Sequence, residues 1–155
     1  MDDYTSDPNP GPLDKREIRR LRDLVRQMRD HQGAWGEAQG GELIRPGVYT
    51  MPWVDTDKLA YKAMDWLYES KRVFWFNWPE WDEGREIFEN WSDGRVATFD
   101  HLTVRKLITA IARNDRFCEG AWAQFFEDGQ GQLLFTRLLQ LENELARKKT
   151  DLTTP

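Results

Sequence analysis

Residues 130–148 read Gln-Gly-Gln-Leu-Leu-Phe-Thr-Arg-Leu-Leu-Gln-Leu-Glu-Asn-Glu-Leu-Ala-Arg-Lys, and their periodicity decides the fold class. Leu134, Leu138, Leu141 and Leu145 recur at helical spacing, with Phe135 and Leu139 beside them. So wide an apolar face belongs to a helix packed into a core, not to the narrower seam of a free coiled coil. Working back towards the N-terminus, Ile18, Leu21, Leu24, Val25 and Met28 repeat the pattern and predict a first helix from about Leu13 to His31, closed by Gly33. A second helix, capped by Asp55 or Thr56, runs to about Ser70 and buries Leu59, Ala63, Met64, Trp66 and Leu67. Pro79 suits the first residue of a third helix ending near Trp91. A fourth begins at Thr98 or Asp100 with Leu102, Leu107, Ile108 and Ile111 inward, and residues 116–128 form a short fifth.

The expectation is therefore a mainly α protein, an irregular bundle of five or six helices in one domain over residues 13–148. Residues 1–12, rich in proline and acidic groups, read as a disordered arm, and residues 149–155 as a flexible tail. Residues 32–47 hold Gly33, Gly36, Gly40, Gly41 and Gly47 and read as a Gly-rich loop. At most one short extended segment is expected, over Val48–Val54, interrupted by Pro52.

Eight Trp, eight Phe and four Tyr in 155 residues supply the bulk of a core. No apolar run approaches the roughly 18 residues that a membrane span needs, and the acidic start resembles no signal peptide. The expected location is the cytoplasm, with no membrane partner. A single cysteine, Cys118, leaves no partner for an intrachain disulfide and is read as a buried free thiol.

The net charge of −5 argues against a generic nucleic-acid binder, but the charge is unevenly spread. The first helix carries Lys15, Arg16, Arg19, Arg20, Arg22, Arg26 and Arg29, whereas Glu80, Asp82, Glu83, Glu86, Glu89 and Asp93 crowd the third. Either region offers a docking surface to a charged partner, Glu80, Glu83 and Glu86 on one side and Arg19, Arg22 and Arg26 on the other. Trp35 and Trp53 fall in or beside the Gly-rich loop, outside any amphipathic pattern, and are candidate interface anchors. Phosphate contacts from the first helix, with Trp35 stacked on a base, would make it a nucleic-acid surface.

The densest mixture of charge and aromatic side chains is Arg113-Asn-Asp-Arg-Phe-Cys-Glu-Gly-Ala-Trp-Ala-Gln-Phe-Phe-Glu-Asp-Gly129. Arg116 and Glu119 stand three apart, the spacing of an ion pair on one helical turn, and Arg113 and Glu127 complete a candidate ligand cluster. A continuous helix would hold Glu119 and Glu127 about 12 Å apart along its axis, beyond the reach of a glycosidase pair. The only histidines, His31 and His101, lie in different helices, and no phosphate loop or nucleophile elbow is present. No catalytic residue, metal or cofactor is expected.

The run Arg-x-Asp-Arg-Phe-Cys-Glu-Gly with the following Phe126-Glu-Asp-Gly129, together with Trp78-Pro-Glu-Trp-Asp-Glu-Gly84, resembles a bacterial family catalogued as a domain of unknown function. The likeness spans roughly residues 55–147 and nothing in residues 1–54. It implies a compact bacterial or phage-encoded domain and transfers no catalytic role. The sequence thus points to a non-enzymatic protein that binds another macromolecule, a second protein first, as an accessory or regulatory factor. The alternatives are an enzyme or small-ligand binder built on the Arg/Glu cluster, and a nucleic-acid binder using the first helix.

Overall fold

A computed structural model describes residues 8–153. The chain is mainly α, with six α-helices among the described residues: α1 (Lys15–Asp30), α2 (Lys58–Glu69), α3 (Asp82–Glu89), α4 (His101–Asn114), α5 (Ala121–Glu127) and α6 (Gln130–Thr153). Short 3-10 turns at Trp78–Glu80 and Asp93–Thr98 flank α3. Helix α6 is the spine against which α1, α4 and α5 pack, and α2 lies on α1.

Helices α1, α2 and α4 begin where an aspartate takes over an orphaned backbone N–H. Asp14 accepts from Glu17 N at 2.8 Å, Asp57 from Leu59 N at 2.8 Å and Asp100 from Thr103 N at 2.7 Å. The second cap is Asp57, because Asp55 and Thr56 are already committed to a strand. Pro79 starts a 3-10 turn instead of α3, and the extended backbone at Trp81 separates the two. At the other end α6 runs on to Thr153, through most of the flexible tail expected over 149–155, whose last two residues lie outside the described residues.

The main departure lies in the Gly-rich segment. Four strands replace the single extended segment expected: β1 (Gly36–Gln39), β2 (Leu43–Arg45), β3 (Val48–Tyr49) and β4 (Trp53–Thr56). Strands β1 and β4 pair antiparallel from Gly36↔Thr56 to Gln39↔Trp53, and β2 pairs with β3 around Leu43↔Tyr49 across an irregularity. Thr50 bridges the two tiers, its N–H donating to the Glu42 carbonyl and its carbonyl accepting from Gly41 N. Residues 36–56 are thus one two-tier hairpin arm. Glycine here supplies shape more than slack: Gly40 sits at φ +72°, and a Cβ there would fall 2.1 Å from the Met51 carbonyl oxygen.

The core centres on Trp122, fully buried, whose indole N–H donates to the Ala60 carbonyl at 2.7 Å. Phe126 and Phe135 meet its ring edge-on. The predicted stripe of α1 is buried whole, and Leu134, Phe135, Leu138 and Leu141 of α6 join it. Leu102, expected to face inward, is instead 37% exposed on the first turn of α4.

Candidate functional site

The arm divides its side chains sharply between two faces. Alternation turns Ala38 and Val54 towards α5, where Gly36 and Gly120 permit the approach: a Cβ on Gly120 would lie 2.9 Å from Val54 Cγ2. Two carboxylates clamp that side. Glu119 Oε1 accepts from Val54 N at 3.1 Å, and Glu127 Oε1 accepts from Trp35 N. Trp53 faces the other way, and Leu43, Ile44, Tyr49 and Met51 beyond it are all largely exposed, Met51 to 84%. Leu43 and Tyr49 are cross-strand partners on one face of the tip. Apolar groups in this number are seldom left together on the surface of a soluble monomer.

The two candidate tryptophans therefore part company. Trp53 is half-exposed as expected, but Trp35 is buried to 5%, stacked between His31 at 3.7 Å and Phe126 at 4.7 Å. His31 Nε2 lies 3.2 Å from Asp57 Oδ2, and the Trp35 carbonyl accepts from Asp57 N at 2.8 Å. Trp35 locks the root of the arm to α1 and α5 and presents no ring to a partner.

The candidate cluster of Arg113, Arg116, Glu119 and Glu127 does not form one site. Glu119 and Glu127 border a shallow recess between the arm and α5, whereas Arg113 lines a separate recess with Phe74, Phe76 and Trp78. Helix α5 starts only at Ala121, after Gly120 at φ +89°, so Glu119 precedes it. Arg116 is exposed on the turn between α4 and α5, and Asp115 accepts from Trp122 N at 2.9 Å, capping α5. Cys118, expected to be buried, is exposed on the same turn.

The charged surfaces are where the sequence placed them, and they pair locally, without neutralising each other. On α1, Arg19, Arg22 and Arg26 are exposed opposite the buried stripe, and Arg26 pairs with Asp23 at 3.0 Å. Beside α3, Glu80 accepts from Asn77 Nδ2 at 2.7 Å, Glu83 is exposed, and Glu86 engages Arg95 through two contacts of 2.9 and 2.6 Å. The hydrogen bond from Arg95 holds the Glu86 carboxyl below the usual carboxylate range. Between α3 and α4 runs a groove of about 380 Å³, walled by Trp78, Trp81, Phe88 and Ile111, with Arg85 and Glu89 on its lip.

One constellation escaped sequence reasoning altogether. Glu142 on α6 is fully buried and receives Arg72 at 2.6 and 3.0 Å and His101 Nε2 at 2.7 Å. Arg72 also donates to the Gly11 carbonyl at 2.9 Å, and the buried Arg105 donates to the carbonyls of Arg72 and Pro8 while lying over the Phe74 ring. Residues 8–12, the end of the expected disordered arm, are thus strapped across two arginines; residues 1–7 lie outside the described residues. The available signal was a carboxylate four residues after Leu138, on the buried stripe of α6. Its partner, 70 residues away, left no mark in the pattern.

Residues 13–144 match a family of unknown function, DUF6508. The chain belongs to that family. The match reaches back through α1 and the arm, well before residue 55, where the sequence resemblance was placed to begin. No curated protein and no solved structure matches the chain. Among the described residues no helix is long and apolar enough to cross a membrane, and no three His, Cys, Asp or Glu side chains gather as a metal site.

Proposed function

We propose that this DUF6508 protein is a non-enzymatic, cytoplasmic interaction protein of bacterial or phage origin that binds another protein through its hairpin arm, as an accessory or regulatory factor. The observation that supports it is the exposure of Leu43, Ile44, Tyr49, Met51 and Trp53 on an arm whose opposite side is pinned to α5. Burial of such groups against a partner is favourable by about 25 cal/mol per Å² before the costs of association. The ligand-site alternative fares less well, since Glu119 and Glu127 already accept backbone N–H groups and Arg113 opens elsewhere.

Nucleic-acid binding through α1 keeps one observation in its favour, the exposed row Arg19, Arg22 and Arg26. It loses the stacking ring, because Trp35 is buried. Affinity capture with tagged full-length protein, with and without nuclease, separates these readings. The arm reading expects a stoichiometric protein that survives nuclease, is lost with Ile44→Asp and is kept with Arg19→Gln/Arg22→Gln. Retention of that protein by Ile44→Asp would overturn it, and loss on nuclease treatment would favour α1.

A further inference from the structure

The arm and the α3–α4 groove are both apolar surfaces that this chain leaves uncovered, and their chemistry is complementary. The groove offers Trp78, Phe88 and Ile111 as walls, with the Trp81 ring packed over the buried Gly84. Its volume of about 380 Å³ falls within the range of recesses that bury a guest of several side chains. Of its two charged residues, Arg85 is already engaged, with Asp82 at 3.5 Å and the Pro79 carbonyl at 3.0 Å. Glu89 has no side-chain partner among the described residues, and neither has Arg45, which stands at the tip of the arm beside Ile44. One surface therefore presents an apolar trough edged by an unanswered carboxylate. The other presents an apolar ridge ending in an unanswered guanidinium.

We infer that the arm's partner is a second copy of this chain: Ile44 and its neighbours seat in the α3–α4 groove of the other copy, and Arg45 meets Glu89. This rests on the reading of the arm as a docking element and names its occupant. A reciprocal exchange closes into a two-fold dimer, because each copy supplies one arm and one groove. Five large side chains, each exposing on the order of 100 Å², give roughly 500 Å² per arm. Two arms with their grooves then clear the ~1,000 Å² that a specific interface needs. Desolvated between the copies, the Arg45–Glu89 pair sets the register of the docking more than its strength.

Sedimentation equilibrium of the full chain over a wide concentration range tests this with four variants. A concentration-dependent monomer–dimer equilibrium is expected, weakened at least ten-fold by Ile44→Asp, Arg45→Glu or Glu89→Arg. The combined Arg45→Glu/Glu89→Arg chain should recover most of the dimer, a rescue that damage to the fold would not give. Circular dichroism checks that each variant is folded. A chain that stays monomeric at every concentration, or a dimer indifferent to Ile44→Asp and to both charge reversals, overturns the inference. A monomer whose captured protein partner is still lost with Ile44→Asp sinks the second-copy inference and leaves the docking role of the arm standing. A captured partner indifferent to Ile44→Asp sinks that docking role as well.

Discussion

Two regions of this molecule invert the usual placement of side chains, and they do so in opposite senses. At the junction of α4 and α6, charges sit inside: Glu142, Arg72 and Arg105 are each 2% exposed or less. Along the arm, large apolar groups sit outside. The buried charges are explained within the chain, since every carboxylate oxygen of Glu142 has a cationic partner and the strap carbonyls take up further guanidinium donors. No contact among the described residues covers the exposed apolar groups. The first inversion belongs to stability; the second is the one the proposed docking role would explain.

The largest expected effect breaks the first region. Glu142→Ala leaves Arg72 buried opposite no charge and should cost about 3–5 kcal/mol, lowering the thermal midpoint on the order of 10 °C. Replacing the pair together, Arg72→Met with Glu142→Leu, should recover much of that loss in urea unfolding, because the burial penalty of both charges goes too. The tryptophans bring the comparison into the arm itself. Trp35→Ala opens a cavity at its root and should cost about 3 kcal/mol; Trp53→Ala should change the unfolding free energy by less than about 0.5 kcal/mol.

A smaller effect belongs to Asp100, which caps α4 one residue before His101. Hydrogen bonds from Thr103, its side chain first and then its backbone N–H, hold the Asp100 carboxyl below its usual range. A depressed folded-state pKa means stabilisation present above the ordinary carboxylate value and lost as pH falls through the depressed one. Asp100→Ala should therefore cost about 1 kcal/mol at neutral pH. The gap between the wild type and the variant should close as pH drops below about 4, read from urea midpoints across pH.

The helices were legible because a core-facing stripe is a local, periodic signal: Leu21, Leu24 and Val25 of α1 and Leu134, Leu138 and Leu141 of α6 are buried as their spacing requires. Asp100 was legible, beside Thr98, as one of two candidate starts of α4 for the same local reason. The arm was not, because Gly40, Gly41 and Gly47 read as flexibility until their positive φ values show that they shape bends. Trp35 was misplaced with it: its partners His31 and Phe126 are joined by packing, and Phe126 lies far along the chain. The candidate cluster was drawn from residues adjacent in sequence, but Glu119 and Glu127 share one recess across Gly120 while Arg113, still on α4, lines another. The Glu142 network depends on pairings across the whole chain, which no window of sequence contains.

If the arm's apolar surface serves association and not folding, its loss should leave the fold intact. Urea unfolding of Ile44→Asp/Met51→Asp, followed at low protein concentration alongside its sedimentation behaviour, tests it most directly. The expected result is an unfolding free energy within about 0.5 kcal/mol of the wild type, together with loss of association. A variant that unfolds markedly earlier, or one that associates as the wild type does, would contradict it.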